Sequence, residues 1–362
     1  MIQKQLEKLI TFKTTPDNKQ EISRCFDWIE SQLTSLPFYI KRIEKNGSLS
    51  LIITTQKTKS PKIWLVAHID VVLADEPQFV PVQKGSKLFG RGALDMKFAV
   101  ACYLELVDDI KEQLSLLDFG IMLTSDEEVG GLDGVAALIE DGYTAPVIVL
   151  PDGGINWKFE SDAKGGWWFE IHSSGVSVHA SRPWLGKNAI DSLMDYITQL
   201  KKIFPASDLK IDNFEIPTIN VGYINGGQSI NQVAQHAEAH IDIRFTHDKD
   251  LKSIENEARK LASEFGNIKI INKLIFKNYT FDTNSKYFLK FAEIAKAKFG
   301  IKVETIKTYG STDARFFAEK KIPTLVISPV GGEHHGKDEW IDLDDLERYY
   351  KVLKEYVLAI SA

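Results

Sequence analysis

The chain of 362 residues is poor in cysteine, with only Cys25 and Cys102. Two thiols build neither a disulfide framework nor a four-cysteine zinc site, and such sparse use suits a reducing compartment. It also lacks a basic block. Lys and Arg total 44 against 50 Asp and Glu, a net charge of -6, which is the wrong electrostatic footprint for a nucleic-acid partner. No apolar run reaches the roughly 18–20 residues of a membrane span. The amphipathic stretch Met1 to Lys13, with Ile2, Leu6, Leu9 and Ile10 on one face, reads as a helix and holds no uninterrupted apolar segment of an export signal. We therefore expect a cytoplasmic protein without membrane or nucleic-acid partners. A phosphate-cradling loop, a Gly-x-Ser-x-Gly elbow and a His-Glu-x-x-His pair are absent as well. Gly90-x-Gly92 carries Asp95 where a dinucleotide fingerprint needs its third glycine.

What is present is globular in composition, and the length suggests two or three domains. Ile22, Cys25, Phe26, Ile29, Leu33 and Leu36 recur at helical spacing, so a helix is expected over about Asn18 to Leu36. Asn46-Gly47 between two short strands signals a hairpin. Between Lys62 and Asp152 the texture changes to short, fully apolar runs, Ile63 to Ala67, Phe119 to Leu123 and Pro146 to Leu150. Helical patterns separate them, from about Asp95 to Lys111 and near Leu132 to Glu140. Such alternation indicates a mixed, mostly parallel sheet with helices on both faces. From Lys164 to about Ile275 the order reads βαββαβ, that of a ferredoxin-like unit. The βα texture then resumes, with helices from Ser285 to Phe299 and Leu343 to Ile360 and a strand from Thr324 to Ser328. We expect an α/β domain formed by residues 1–163 and 277–362, interrupted by a smaller α+β domain over 164–276.

In α/β sheets, chemistry collects at the carboxyl ends of the strands. The first apolar strand ends in His68-Ile69-Asp70, the next in Asp126-Glu127-Glu128, and the third in Pro151-Asp152. The last runs toward Glu333-His334-His335, and Gly90-Arg91-Gly92-Ala93 precedes a helix starting near Asp95. Each alone reads as a turn residue or a cap; together they read as a site. His, Asp and Glu without Cys suit Zn, Co or Mn. Two histidines with three or more carboxylates exceed the four ligands of one tetrahedral zinc, and suit two ions sharing a bridging carboxylate and a water.

His68-Ile69-Asp70-Val71-Val72, Gly90-Arg91-Gly92-Ala93-Leu94-Asp95-Met96-Lys97, Asp126-Glu127-Glu128-Val129-Gly130 and His335-Gly336-Lys337-Asp338-Glu339-Trp340 resemble the signatures of the M20 metallopeptidase family, in order along essentially the whole chain. The resemblance implies a zinc-peptidase-like catalytic domain with an inserted lid and dimerisation domain. It implies two divalent ions, zinc foremost, with His68 and Asp152 on the first, Glu128 and His335 on the second, and Asp95 bridging them, often at a cis peptide. Asp70 would orient the His68 imidazole, and Glu127 would be the general base. His334 competes with His335 for the last place; the family's Glu four residues after the ligand, matched by Glu339, favours His335.

For the inserted domain the resemblance implies that His179, in Ser177-Val178-His179-Ala180-Ser181-Arg182-Pro183, stabilises the oxyanion, often across a homodimer. Asn231, Arg244, Ser311, Thr312 and Gly332 would contact substrate, although Arg244 also reads as a strand-end ion pair with Asp242 or Asp248. His172, His236, His240 and His247 carry no motif. The expected reaction is hydrolysis of an amide bond by metal-activated water. Asp rather than Glu at the position of Asp152 tilts the family comparison toward a dipeptidase or aminopeptidase acting on a short peptide. The alternative is an N-acyl-amino-acid deacylase of the acetylornithine deacetylase or succinyl-diaminopimelate desuccinylase type. A non-catalytic small-ligand binder on the same scaffold is the remote one.

Overall fold

The computed structural model describes residues 2–204 and 213–362. Met1, the first residue of the expected N-terminal helix, and residues 205–212 of the expected inserted domain lie outside the described residues. The chain divides into two compact units. One comprises Met1–Ser161, Phe281–Ile306 and Thr312–Ala362, the other Asp162–Thr280 and Lys307–Ser311.

The first unit is built on a mixed six-stranded sheet in the order Tyr39–Lys45, Ser48–Thr54, Gly120–Thr124, Trp64–His68, Ile148–Val149, Thr324–Leu325. The last four are mutually parallel and the first two antiparallel. The hairpin turns on Asn46 and Gly47, with φ of 47° and 81°. Two successive left-handed residues give the turn whose twist matches its strands. All five residues of Trp64–His68 and of Gly120–Thr124 are buried, so the sheet is covered on both faces and the strands carry no polar alternation. The parallel register sets His68 opposite Thr124, which brings the segments after both strands to one edge of the sheet.

Two helix starts fall later than expected. The helix after Asp95 spans Lys97–Asp109, preceded by a loop whose Leu94 and Asp95 N–H groups donate to the Glu339 carboxylate. The helix expected from Leu132 spans Val135–Glu140, preceded by a loop whose Asp133 and Gly134 N–H groups donate to Asp126, both at 2.8 Å. The N-terminal helix is Ile2–Ile10 and the second ends at Ser31, short of Leu36.

Lys97 is wholly buried. Its ammonium donates to the carbonyls of Leu9 (3.1 Å) and Phe12 (2.7 Å), tying the end of the N-terminal helix to the helix beside the sheet. Burial pulls its pKa down to about 8. Lys97→Met keeps the apolar stem but removes both charged hydrogen bonds, leaving the Leu9 carbonyl only Phe12 N and the Phe12 carbonyl only Thr14 N as donors. At ~1.5–3 kcal/mol for a hydrogen bond from a charged group, we expect about 2–4 kcal/mol of lost stability. An unchanged urea midpoint would contradict this.

The second unit has the order βαββαβ: strand Gly165–Ser174, helix Ala189–Lys201, strands Thr218–Gly226 and His236–Phe245, helix Asp248–Phe265, strand Ile268–Phe276. The strands lie in the spatial order second, third, first, fourth, all antiparallel, as in a ferredoxin-like sheet. Trp167, Phe169, Ile171, Ile241 and Ile243 line one face and pack on Leu193, Tyr196, Leu200 and Ala258 of the helices.

Candidate metal centre

A second, smaller sheet in the first unit brings distant segments together. Its antiparallel strands run Gly331–Gly332, Trp340–Asp342, Lys87–Phe89, Val82–Lys84. Pairing of Trp340 with Phe89 sets Glu339 and His335 beside the loop from Gly90 to Asp95. The strand ends of the main sheet supply the remaining residues.

Asp95, only 6% exposed, stands at the middle. Its Oδ1 lies 3.1 Å from His68 Nε2, and its Oδ2 lies 2.8 Å from His334 Nε2 and 2.9 Å from His335 Nε2. His68 Nε2 is also 3.7 Å from Asp152 Oδ1, and His335 Nε2 is 3.4 Å from Glu128 Oε2. Two three-residue groups therefore meet at one carboxylate. In each of them, His68–Asp95–Asp152 and Asp95–His334–His335, a donor atom from every residue lies within 4.8 Å of the others. The Asp95–Met96 peptide is cis.

These residues fit divalent ions. Asp152 Oδ2 is buried and has no hydrogen-bond partner among the described residues. His68 Nδ1 lies 2.9 Å from the backbone carbonyl of Asp70, which can only accept, so Nδ1 carries a hydrogen and Nε2 is the ring nitrogen aimed at Asp95 and Asp152. The Asp70 carboxylate stands farther off, 3.5 Å from Nδ1, and accepts instead from Glu128 N at 3.0 Å. Although burial opposes it, hydrogen bonding to His334, His335 and His68 holds Asp95 well below the usual carboxylate range.

Glu127 and Glu128 open a short 3-10 turn, Glu127–Val129, and their side chains diverge. Glu128 Oε1 accepts from Val72 N at 3.2 Å while its other oxygen faces His335. Burial first, and the Asp152 carboxylate next, push Glu127 well above the usual carboxylate range. The turn is braced by Arg315, whose Nη2 donates to Gly130 O at 2.6 Å. Gly131 sits at φ +62°, and a Cβ there would stand 1.9 Å from Asp313 Oδ1. Asp313, buried in the segment read from sequence as a substrate loop, is pushed up to about 7 by desolvation.

Glu339, used in the sequence only to count four residues from His335, holds the Asp95 loop. Its Oε1 accepts from Leu94 N (2.8 Å) and Asp95 N (3.0 Å), and its Oε2 from Gly92 N (3.1 Å) and Arg91 Nη1 (2.7 Å). The signal for it was the Gly-Arg-Gly run, which is buried here, so its N–H groups need acceptors within the protein.

The other sequence candidates lie elsewhere. Gly332 pairs with Trp340 in the small sheet, and a Cβ there would come within 2.8 Å of Trp340 Nε1. Thr312 accepts from Ala314 N at 3.2 Å. His179, Asn231, Arg244 and Ser311 belong to the second unit. There His179 Nδ1 accepts from Ser181 N at 3.1 Å, and Asn231 O accepts from Ala180 N at 2.9 Å, so those two loops run together. Arg244 is engaged by Asp242 through two bonds of 2.8 and 3.0 Å.

Imidazoles and carboxylates gathered at the carboxyl ends of parallel strands, around a shared aspartate, define a metal-dependent hydrolase. The chain belongs to peptidase family M20/M25/M40, whose model matches residues 64–359. It is 24% identical over 385 aligned positions to the succinyl-diaminopimelate desuccinylase of Rickettsia massiliae (strain Mtu5), with 98% of each chain covered. Its fold is similar to that of a tripeptidase from Staphylococcus aureus subsp. aureus mu50, with a TM-score of 0.83, 20% identity, and 99% and 97% of the two chains covered. It is also similar to an M20 family metallo-carboxypeptidase from Sulfolobus solfataricus, with a TM-score of 0.82, 16% identity and 99% of each chain covered. No helix among the described residues is long and apolar enough to cross a membrane.

Proposed function

We propose that the chain hydrolyses an amide bond of a short peptide. His68, Asp95 and Asp152 would hold one divalent ion and Asp95, Glu128 and His335 a second, zinc foremost, with cobalt or manganese as substitutes. The observation that carries this reading is Asp95 itself, whose two oxygens face separate groups of donors. Bound ions supply Lewis acidity toward the amide carbonyl and an acidified water. Glu127, whose carboxylate is not drawn into the His335 contact, takes the proton of the attacking water and passes it to the leaving nitrogen. The Asp70 carbonyl fixes the His68 tautomer, and the Asp70 carboxylate steadies Glu128 through its backbone. For His179, Asn231, Arg244, Ser311, Thr312 and Gly332 we retain the oxyanion and substrate roles that the family resemblance implies.

The substrate preference rests on Asp152 and is supported by the likeness to a tripeptidase fold. The second reading, an N-acyl-amino-acid deacylase, is favoured by the relatives named succinyl-diaminopimelate desuccinylase. Initial rates on a panel of di- and tripeptides against N-acetyl and N-succinyl amino acids decide between them. The peptide reading expects kcat/KM at least tenfold higher on the peptides; turnover of acyl substrates alone would overturn it. We also propose a homodimer through the second unit. One of its two edge strands, Thr218–Gly226, leaves Tyr223 and Ile224 about half exposed at 44% and 54%, and an edge of this kind invites pairing with a second chain. Sedimentation at twice the monomer mass is the expected result, and a monomer at micromolar concentration would overturn it. The two buried free thiols suit a cytoplasmic location.

A further inference from the structure

We propose that His334 is a metal donor together with His335, so that the two ion positions are chemically unequal. This inference rests on the metal-site reading above and goes beyond its five-residue ligand set.

Consecutive side chains on an extended backbone point to opposite sides. His334 and His335 do not. Their rings stack, with centroids 4.2 Å apart and planes 16° from parallel, and both Nε2 atoms meet Asp95 Oδ2 at 2.8 and 2.9 Å. The backbone explains this. Glu333 and His335, on either side of His334, have φ of 57° and 60°. Left-handed non-glycine residues are uncommon, and they persist where the surroundings hold them. Here the turn is closed by Gly336 N donating to Glu333 O at 2.7 Å. It is gripped from outside by Arg91 Nη2, 3.0 Å from the carbonyls of both His335 and Gly336, and by Gln78 Nε2, 3.2 Å from Gly336 O. None of these bonds involves an imidazole. The loop thus holds the two residues in a turn from which both rings reach the same Asp95 oxygen.

The consequence is a difference in donor type. The position at Asp95, His334 and His335 offers two imidazole nitrogens and a carboxylate, with Glu128 beside His335. The position at His68, Asp95 and Asp152 offers one nitrogen and two carboxylates. Imidazole nitrogen is the stronger donor for zinc and cobalt, whereas an oxygen-rich set suits manganese or magnesium. The nitrogen-rich position should fill first.

The test is a titration of the metal-free protein with Co(II), following visible absorption and heat release together. Wild type should show two resolved binding events. In His334→Ala the tighter event should weaken by about tenfold or more, at least the loss usual for a residue supporting a ligand, while the weaker event stays in place. His335→Ala should weaken the same event. The His334 side chain is 49% exposed, so its removal leaves the fold intact, and an unchanged circular dichroism spectrum verifies this. A His334→Ala titration that superimposes on wild type, with His335→Ala still losing the tight event, would overturn this inference and leave the two-metal reading standing. A wild type that binds no cobalt would overturn that reading itself.

Discussion

Glu127→Gln should lose about 10²–10⁴-fold in kcat, the usual contribution of a general base, while KM and metal content stay close to wild type. The substitution keeps the size and shape of the side chain and removes its charge and its ability to carry the proton. We assign the role to Glu127 rather than Glu128 from their different contacts. Of the adjacent pair, Glu128 is committed to Val72 N and His335, whereas Glu127 is half-buried, with the charges of Asp152, His68 and Asp313 near it and without such a contact. Steady-state kinetics with elemental analysis of the same preparation separate the outcomes. Loss of metal along with activity would make Glu127 a ligand, and near-normal turnover with metal bound would remove it from the mechanism.

Glu339→Ala should be the most destabilising single change near the site. Glu339 is 1% exposed and accepts four hydrogen bonds, one from the buried Arg91. Breaking a buried ion pair by removing one partner costs about 3–5 kcal/mol, because the other charge stays buried and unpaired. The effect also reaches the chemistry. Two of the four bonds hold Leu94 N and Asp95 N, so the carboxylate shared by both candidate ligand groups is set by Glu339. A displacement of about 1 Å at a reacting centre can cost 10²-fold in rate. We expect a lower denaturation midpoint, weaker metal retention and at least that loss in kcat. Glu339→Gln should fall between, since its amide group faces Gly92 N or Arg91 as donor against donor. A Glu339→Ala protein with wild-type midpoint and metal affinity would show that the Asp95 loop holds its own shape.

The strand ends carrying His68, Asp126–Glu128 and Asp152 were legible because buried parallel strands leave a plain apolar signature and the polar residue that ends it stands out. The βαββαβ order of the second unit was legible for the same reason, through alternation and helical spacing. The small sheet was not. Strands of two or three residues, such as Gly331–Gly332 and Val82–Lys84, are too short for any period to register. With it went the clamp of Glu339 on Asp95, which joins residues 244 positions apart. The late start of the helix at Lys97 was hidden likewise, since the loop before it is bonded to Glu339, far along the chain. His334 presented itself only as a rival to His335, because a pattern of residue types carries no sign that the backbone on either side is left-handed. Lys97 read as part of a motif, and its burial against the Leu9 and Phe12 carbonyls is a tertiary fact.

The central claim is that hydrolysis depends on two ions held around Asp95. Its most direct test is to strip the protein with a chelator, then add zinc, cobalt or manganese in steps while measuring peptide hydrolysis and bound metal on the same samples. The account predicts no turnover in the metal-free protein and a rise that levels off at two equivalents per chain. Full turnover without metal, or two bound ions with no amide hydrolysed in either substrate class, would contradict it.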